Sequence, residues 1–207
     1  MKSLITIFDR INKISLYSAI FLTPLFFLPF SQNILDYPKQ TLLLFLISLS
    51  LISWLVKQIV QEKIVLRGNK FLYFILTLVL VFFTLSTVFS LWPTASFWGW
   101  PLSITDSLLT FFIFFVLFFL FANVFQNETE LFFGIFLFLI SGIIAGFLLL
   151  LQLYGIFILP FDFAQISSFN TIGSVYDAVI FLSVLLSLSL GLLSRIKKYV
   201  FLSLIHI

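Results

Sequence analysis

The basic residues of this chain are sorted into alternate gaps between long apolar runs. Ten of the eleven Lys and Arg residues lie in three gaps, and the intervening gaps hold only Lys39. Basic residues in short loops stay on the cytoplasmic side of a membrane. The pattern therefore predicts a polytopic membrane protein with a cytoplasmic N-terminus and odd-numbered helices that run outward. The ten residues are Lys2, Arg10, Lys13, Lys57, Lys63, Arg67, Lys70, Arg195, Lys197 and Lys198.

Six apolar runs are long enough, or nearly so, to cross a bilayer, which requires roughly 20 apolar residues per helix. The composition agrees, because 62% of the residues are hydrophobic and 9% are charged, whereas soluble domains are about 25% charged. We therefore predict an all-α fold. It would be one transmembrane helix bundle over residues 1–207, with six complete helices and the start of a seventh at residue 199. The six runs are 14–30, 40–56, 71–91, 107–125, 131–159 and 178–194.

Several kinds of site are excluded by the residues present. The chain has no Cys for disulfides or thiolate metal sites, and its single His, His206, cannot form a zinc-binding pair. The net charge is +3, but the basic residues form no contiguous stripe, so we expect no nucleic-acid partner. The motifs of phosphate-binding loops, dinucleotide folds, zinc proteases and serine hydrolases are missing. We expect no metal and no cofactor, and the catalytic residues stay unknown.

Two segments on the predicted inner side are ambiguous. The apolar residues ahead of the first run share one helical face, which is typical of a short interfacial helix; a frayed tail is the alternative. The gap 126–130 carries two acids and no base. Because acidic residues contribute little to orientation, this gap permits the topology without supporting it. The apolar face of the N-terminal segment consists of Leu4, Ile7, Phe8, Ile11 and Ile14.

The fifth run contains a pair of small residues and a lone amide. Gly142 and Gly146 have the spacing that lets two helices approach closely. Since this chain has several helices to pack, we expect internal packing rather than dimerisation. Gln152 is expected to bond a neighbouring helix, although intramembrane polar groups are also functional candidates.

Two gaps on the predicted outer side carry most of its polar and aromatic groups. The gap 92–105 is rich in Trp, which favours the headgroup level, and Thr105 or Asp106 is expected to cap the helix that follows. The gap 160–176 is rich in Ser, Asn, Thr and Gly. It suits sugar hydroxyls, but composition alone favours a plain connecting loop.

Three segments resemble the O-antigen ligase and O-antigen polymerase superfamily, and the likeness extends over essentially the whole chain. The most distinctive opens an apolar helix after an outer loop. The other two lead into the second and fourth helices. The segments are Phe169-Asn170-Thr171-Ile172-Gly173-Ser174, then 23–39 with Asp36-Tyr37-Pro38-Lys39, and 89–99 with Ser96-Phe97-Trp98-Gly99.

The resemblance implies a membrane glycosyltransferase-like enzyme of the bacterial inner membrane. Such an enzyme acts on the outer leaflet in lipopolysaccharide or polysaccharide biosynthesis. It ligates or polymerises a glycan carried on polyprenyl diphosphate and needs no nucleotide sugar. Membrane lipid and the lipid-linked glycan are the implied partners. Family members have roughly twice as many helices, and their essential basic and His residues mostly lie beyond the matching region. The chain is thus expected to be a truncated N-terminal half that is inactive alone.

The implied substrate-binding residues lie in the outer gaps. Asn170, Thr171 and Gly173 belong to the family-like segment, and the 162–177 loop is expected to lie near the 92–105 loop. Trp98 and Trp100 offer flat apolar faces for sugar rings. Lys39 is the only outer cation for a diphosphate, or else an interface anchor. Tyr176-Asp177 departs from the family, which has small or amide residues at this point.

Two other functions remain open. A transporter or lipid-linked glycan flippase is the main alternative, although transporters usually place charged or unwound segments near the membrane midplane. No Asp, Glu, Lys or Arg lies deep within a run of this chain, which disfavours ion-coupled transport. A non-enzymatic assembly subunit is the third possibility.

Overall fold

A computed structural model describes residues 2–31, 33–63, 66–67, 69–101 and 103–205. These residues form seven α-helices and a 3-10 helix at Asp162–Ala164, with no strand among them. Four of the helices are long and apolar enough to cross a membrane, and a fifth is apolar but shorter. The predicted all-α membrane bundle is confirmed; His206 lies outside the described residues. The helices are α1 (Lys2–Leu22), α2 (Asp36–Val60), α3 (Lys70–Val88), α4 (Pro93–Trp98), α5 (Leu108–Val124), α6 (Glu128–Leu153) and α7 (Val175–Ile205).

The helix boundaries differ from the predicted ones at both ends of the chain. The N-terminal segment is neither frayed nor a separate helix, because α1 is continuous from Lys2 and ends at Leu22, just before Pro24. Proline disfavours helical backbone at the residue before it. At the other end, α7 continues through 195–198 to Ile205, so residue 199 does not start a new helix. That stretch has no Pro or Gly to interrupt it.

The fifth predicted run also ends earlier than expected, and a glycine is the reason. Gly155 adopts a left-handed backbone with φ of 76° just after α6. The N–H of Ile156 donates to the carbonyl of Leu151 at 2.9 Å, and the N–H of Gly155 donates to that of Gln152 at 3.0 Å. This pattern is a Schellman motif, which stops a helix by satisfying its last carbonyls.

The chain divides into two compact units, Met1–Ile135 and Phe136–Ile207. In the first unit α1 and α2 pack together, and both contact α5. Their shared apolar core is closed by Trp54, whose ring meets that of Phe119 edge-on at 5.2 Å. The buried residues of this core are Leu16, Ala19, Leu43, Leu46, Ile47, Trp54, Ile113, Val116, Leu120 and Val124.

Helices α3 and α4 flank this core. Helix α3 contacts α5 and α4, yet none of its residues, all of which the structure describes, is buried. Its exposed side chains are mostly apolar, so its surface suits the hydrocarbon of a bilayer. Helix α4 is a single short helix that begins with Pro93, a residue whose fixed φ and missing N–H fit the first helical position. It packs beside the start of α5.

Buried polar pairs fix how the helices of the first unit align. Asn12 of α1 accepts a hydrogen bond from Ser50 of α2, and both side chains are fully buried. At the other end of α2, the Gln40 amide donates to the hydroxyl of Thr110 at 2.8 Å. In a membrane interior such groups must find protein partners. With the Lys57–Asp9 ion pair and the Trp54–Phe119 contact as second points, these pairs show that α1 runs antiparallel to α2, and α2 parallel to α5.

An ion cluster joins three helices at one end of this unit. Lys13 Nζ lies 2.7 Å from Asp9 Oδ2 and 2.8 Å from Glu130 Oε1, and Lys57 also pairs with Asp9. Burial raises the pKa of Asp9, but the hydrogen bonds and charges of the two lysines outweigh it and hold that pKa below its ordinary value. The acidic gap 126–130 thus lies at the same end as Lys13 and Lys57, where one of its two acids, Glu130, pairs with Lys13.

In the second unit, α6 and α7 pack through the predicted small residues. A Cβ at Gly142 would lie 2.0 Å from Leu185 Cδ1, and one at Gly146 would lie 3.1 Å from Leu182 Cδ2. The expectation of internal helix packing at this pair is confirmed. The expectation for Gln152 is wrong for its carbonyl oxygen: Oε1 is buried and has no hydrogen-bond partner in the described part of the chain.

Candidate functional site

A polar cleft opens at the end of the first unit opposite the ion cluster. Its volume is about 240 Å³, and it lies between the last turn of α3, the short α4 and the start of α5. We call it the hydroxyl cleft, because most of its polar lining consists of Ser and Thr side chains. The lining residues are Phe83, Ser86, Thr87, Ser90, Ala95, Ser96, Ser103, Asp106 and Ser107.

A tight turn at Gly99 builds one wall of the hydroxyl cleft. Gly99 has φ of 83°, a conformation that costs other L-residues energy. A Cβ here would lie 2.5 Å from the Cα of Ile104 and 2.7 Å from the carbonyl oxygen of Ser103. The chain can therefore return closely against the end of α4, which places Ser103 and Asp106 beside Ser96.

The cap of α5 differs from the predicted one, and the difference exposes Asp106 to the cleft. Ser107, not Thr105 or Asp106, is the N-cap, because its hydroxyl accepts from the N–H of Thr110 at 3.2 Å. Asp106 precedes the cap, and its carboxylate instead accepts from the Ser103 hydroxyl at 2.7 Å. This carboxylate is exposed and lines the cleft.

The lining of the hydroxyl cleft is chemically suited to a neutral polyol. The Ser90 and Ser96 hydroxyls lie 2.8 Å apart, and Thr87 donates to the carbonyl of Phe83 at 2.9 Å. Each of these hydroxyl oxygens retains acceptor capacity, and an ionised carboxylate accepts several hydrogen bonds. Sugar hydroxyls can satisfy such acceptors. A phosphate is a poor match, since Asp106 would repel it.

A second cavity at the same end is aromatic. It has a volume of about 350 Å³ and is lined by Ser31, Asn33, Tyr37 and Trp100. The Tyr37 and Trp100 side chains are each 49% exposed, so their ring faces are open to a ligand. Asn33 fixes the loop before α2, because its side-chain Oδ1 accepts a hydrogen bond from the backbone N–H of Asp36 at 2.8 Å.

Three predicted site residues lie at this end of the first unit, but they do not form one cluster. Trp100 lines the aromatic cavity. Trp98 ends α4 with its ring exposed, and it meets Phe97 edge-on at 5.0 Å. Lys39 lies near the start of α2 and is partly buried. Their contact with substrate stays a prediction.

The other three predicted site residues belong to the second unit, where they shape a loop. Asn170 is 3% exposed. Its side-chain Oδ1 accepts hydrogen bonds from the backbone N–H groups of Ile172 at 2.9 Å and Gly173 at 3.0 Å. Its amide nitrogen donates to the carbonyls of Gly173 and Ser168. Thr171 is buried as well. Both polar atoms of the Asn170 side chain are thus engaged inside the loop.

Gly173 and Asp177 have a local structural role at the start of α7. The Ser174 hydroxyl accepts from the N–H of Asp177 at 3.2 Å, and the Asp177 carboxylate accepts from the N–H of Ser174 at 2.9 Å. This reciprocal pair is a capping box, which gives the Asp177 carboxylate a structural role at the helix start. A Cβ at Gly173 would lie 2.9 Å from that carboxylate. The predicted closeness of the 92–105 and 162–177 loops stays a prediction.

Sequence reasoning gave no binding role to the residues of the hydroxyl cleft, although it named Asp106 as a possible helix cap and Ser96 within a family-like segment. Ser86, Thr87 and Ser90 stood inside or beside an apolar run, and Ser96 and Ser103 stood in a gap noted for its Trp residues. A signal was present, because hydroxyl side chains are dense between residues 84 and 107 of this Phe-rich chain.

No family model matches the chain, and no curated protein or solved structure is significantly similar to it. The class of this protein is therefore assigned from its fold, which is that of an α-helical membrane protein.

Proposed function

We propose that this chain is a membrane glycosyltransferase-like protein of the O-antigen ligase type. It ligates or polymerises a polyprenyl-diphosphate-linked glycan on the outer leaflet of the bacterial inner membrane. The observation that supports this most directly is the hydroxyl cleft, which opens where α3 and α5 leave their apolar stretches. A glycan attached to a membrane lipid presents its sugars at this depth.

The cleft and the aromatic cavity suit different parts of such a substrate. Ser86, Thr87 and Asp106 offer acceptors to sugar hydroxyls, and Tyr37 and Trp100 offer ring faces to the apolar side of a pyranose. The diphosphate needs several donors or cations to stabilise the charge that develops on it. Neither lining contains a basic residue among the described residues. Cations from outside the two cavities must therefore complete a transfer reaction.

The proposal requires the cleft end to face outward and the N-terminus to face the cytoplasm. The chain has no Cys, so single Lys63→Cys and Trp98→Cys variants report on one position each. We expect a membrane-impermeant maleimide to label Trp98→Cys in intact spheroplasts and to label Lys63→Cys only after lysis. The reverse pattern would reject this topology and place the hydroxyl cleft in the cytoplasm.

Binding of the lipid-linked glycan tests the cleft. We expect Asp106→Asn to weaken binding by the full chain in nanodiscs roughly tenfold or more, because hydrogen bonds to a charged acceptor contribute about 1.5–3 kcal/mol. Ser86→Ala should weaken it roughly fivefold. The readout is equilibrium binding of a fluorescent glycan on polyprenyl diphosphate, rather than transfer, since neither cavity lining offers a basic side chain among the described residues to stabilise a leaving diphosphate.

A matched hydroxyl on the same helix provides the control. Thr77 lies on α3 away from the cleft, and its hydroxyl donates to the carbonyl of Tyr73 at 2.8 Å, so Thr77→Ala should bind normally. Wild-type affinity in both Asp106→Asn and Ser86→Ala would remove the cleft as the glycan site. The flippase alternative would be favoured by a different result. In it, the labelled lipid crosses the vesicle membrane in a way that depends on Asp106, and no glycan is transferred to an acceptor.

A further inference from the structure

Two sets of basic residues lie at the ion-cluster end of the first unit. Lys13 and Lys57 are partly buried, with side chains 24% and 13% exposed, and they pair with Asp9 and Glu130. Two positive and two negative groups compensate one another there. These lysines therefore hold helices together and leave little net charge for an outside partner.

The second set is uncompensated. Lys63 and Arg67 lie on the connection between α2 and α3, Lys70 is the first residue of α3, and all three are exposed. We call them the basic patch. In the described part of the chain none of them forms an ion pair. The neighbouring acid on this connection is Glu62, so the segment carries a net positive charge even when that carboxylate is counted.

A buried amide anchors the backbone of Arg67, one residue of the basic patch, to the helix bundle. Asn123, which is 5% exposed, accepts from the backbone N–H of Arg67 at 2.7 Å. Its amide nitrogen donates to the Tyr73 hydroxyl at 3.0 Å and to the carbonyl of Phe119 at 2.7 Å. The Tyr73 hydroxyl in turn donates to the carbonyl of Arg67. The backbone at Arg67 is thus fixed against the ends of α3 and α5.

Exposed apolar side chains of α3 follow the basic patch directly in the chain. Phe71 and Phe74, which follow Lys70 on α3, are 68% and 64% exposed. Such side chains suit acyl chains, and the charges beside them then lie at headgroup depth. The arrangement has a cationic end and an apolar flank, which together match the two parts of an anionic phospholipid.

We propose that the basic patch binds the phosphate headgroup of an anionic phospholipid whose acyl chains lie along α3. The inference is independent of the glycan-transfer proposal, because it concerns the opposite end of the unit. Clustered Lys and Arg next to a membrane helix attract anionic lipid, and each contributes a similar increment of affinity. The attraction is electrostatic, so it should weaken as ionic strength rises.

The test is lipid binding to the purified full chain by native mass spectrometry, with phosphatidylglycerol and phosphatidylcholine as probes. We expect the wild type to prefer phosphatidylglycerol, and Arg67→Gln or Lys70→Gln to lower that affinity roughly fivefold each. Thr77→Ala alters an exposed side chain of α3 without removing a charge and should leave the affinity unchanged. Arg67→Lys retains the charge and should stay within about twofold of wild type.

Several results would overturn the proposal. One is wild-type affinity in the Arg67→Gln/Lys70→Gln double variant, and another is an equal loss in Thr77→Ala. A loss in Arg67→Lys as large as in Arg67→Gln would show that the fold, rather than the charge, had changed. Complete displacement of the lipid by millimolar inorganic phosphate would assign the patch to a soluble anion instead.

Discussion

Replacing Gly99 by Ala is expected to destabilise the first unit by about 2–5 kcal/mol and to abolish glycan binding in the hydroxyl cleft. The left-handed backbone at this position, with φ of 83°, costs an L-residue about 1–2 kcal/mol. The new Cβ would also lie 2.5 Å from the Cα of Ile104. Backbone cannot rotate away as a side chain can, so the Ser103–Asp106 wall of the cleft must move, and overpacking of this kind costs about 1–3 kcal/mol.

Gly155 provides the matched control for this prediction. It has a similar φ of 76°, but among the described residues no atom lies within 4 Å of a Cβ built there. Gly155→Ala should therefore show the backbone cost of about 1–2 kcal/mol alone. Both variants can be compared by detergent-driven unfolding of the purified chain. Equal losses of unfolding free energy in the two would mean that the contact with Ile104 contributes nothing.

Replacing Gly142 by Ile is expected to weaken the packing of α6 against α7 and to lower the free energy of unfolding of the second unit by about 1–3 kcal/mol or more. A Cβ at Gly142 falls 2.0 Å from Leu185 Cδ1 and 3.1 Å from its Cγ. Leu185 Cδ1 is the end of a flexible side chain and can shift, but Leu185 is 7% exposed, so it has room for only a small movement. A rotamer change of Leu185 can relieve the clash with the single Cβ of an alanine at position 142. It cannot relieve the clash with the larger β-branched side chain of isoleucine. The unfolding free energy of the second unit measures the effect.

Two further variants separate steric clash from a general intolerance of β-branched residues in these helices. Gly191 lies on α7, and in the described part of the chain nothing lies within 4 Å of a Cβ there, so Gly191→Ile should be nearly neutral. Leu185→Ala should restore part of the stability when it is combined with Gly142→Ile, which is a coupling between contacting sites. Strict additivity of the two changes would contradict the proposed contact.

The membrane class and most of the helices could be predicted from local sequence alone. The 107–125 run became α5 at Leu108–Val124, and the 71–91 run became α3 at Lys70–Val88. The reason is that lipid offers no hydrogen bonds, so a long apolar run must satisfy its own backbone as a helix. The spacing of Gly142 and Gly146 likewise predicted a close helix contact, because two small residues one turn apart let another helix approach closely, whichever helix that is.

Tertiary structure alone decided which polar groups meet. Glu130 stood in a gap without a base, and its partner Lys13 comes from a helix far away in sequence. Asp106 was expected to cap a helix, but Ser107 takes that position and leaves the carboxylate in a cleft. Hydrogen bonds and ion pairs depend on distances of a few ångströms, which the packing of separate helices sets. Apolar length therefore specified the helices, whereas helix packing specified the cleft, the ion cluster and the anchored basic patch.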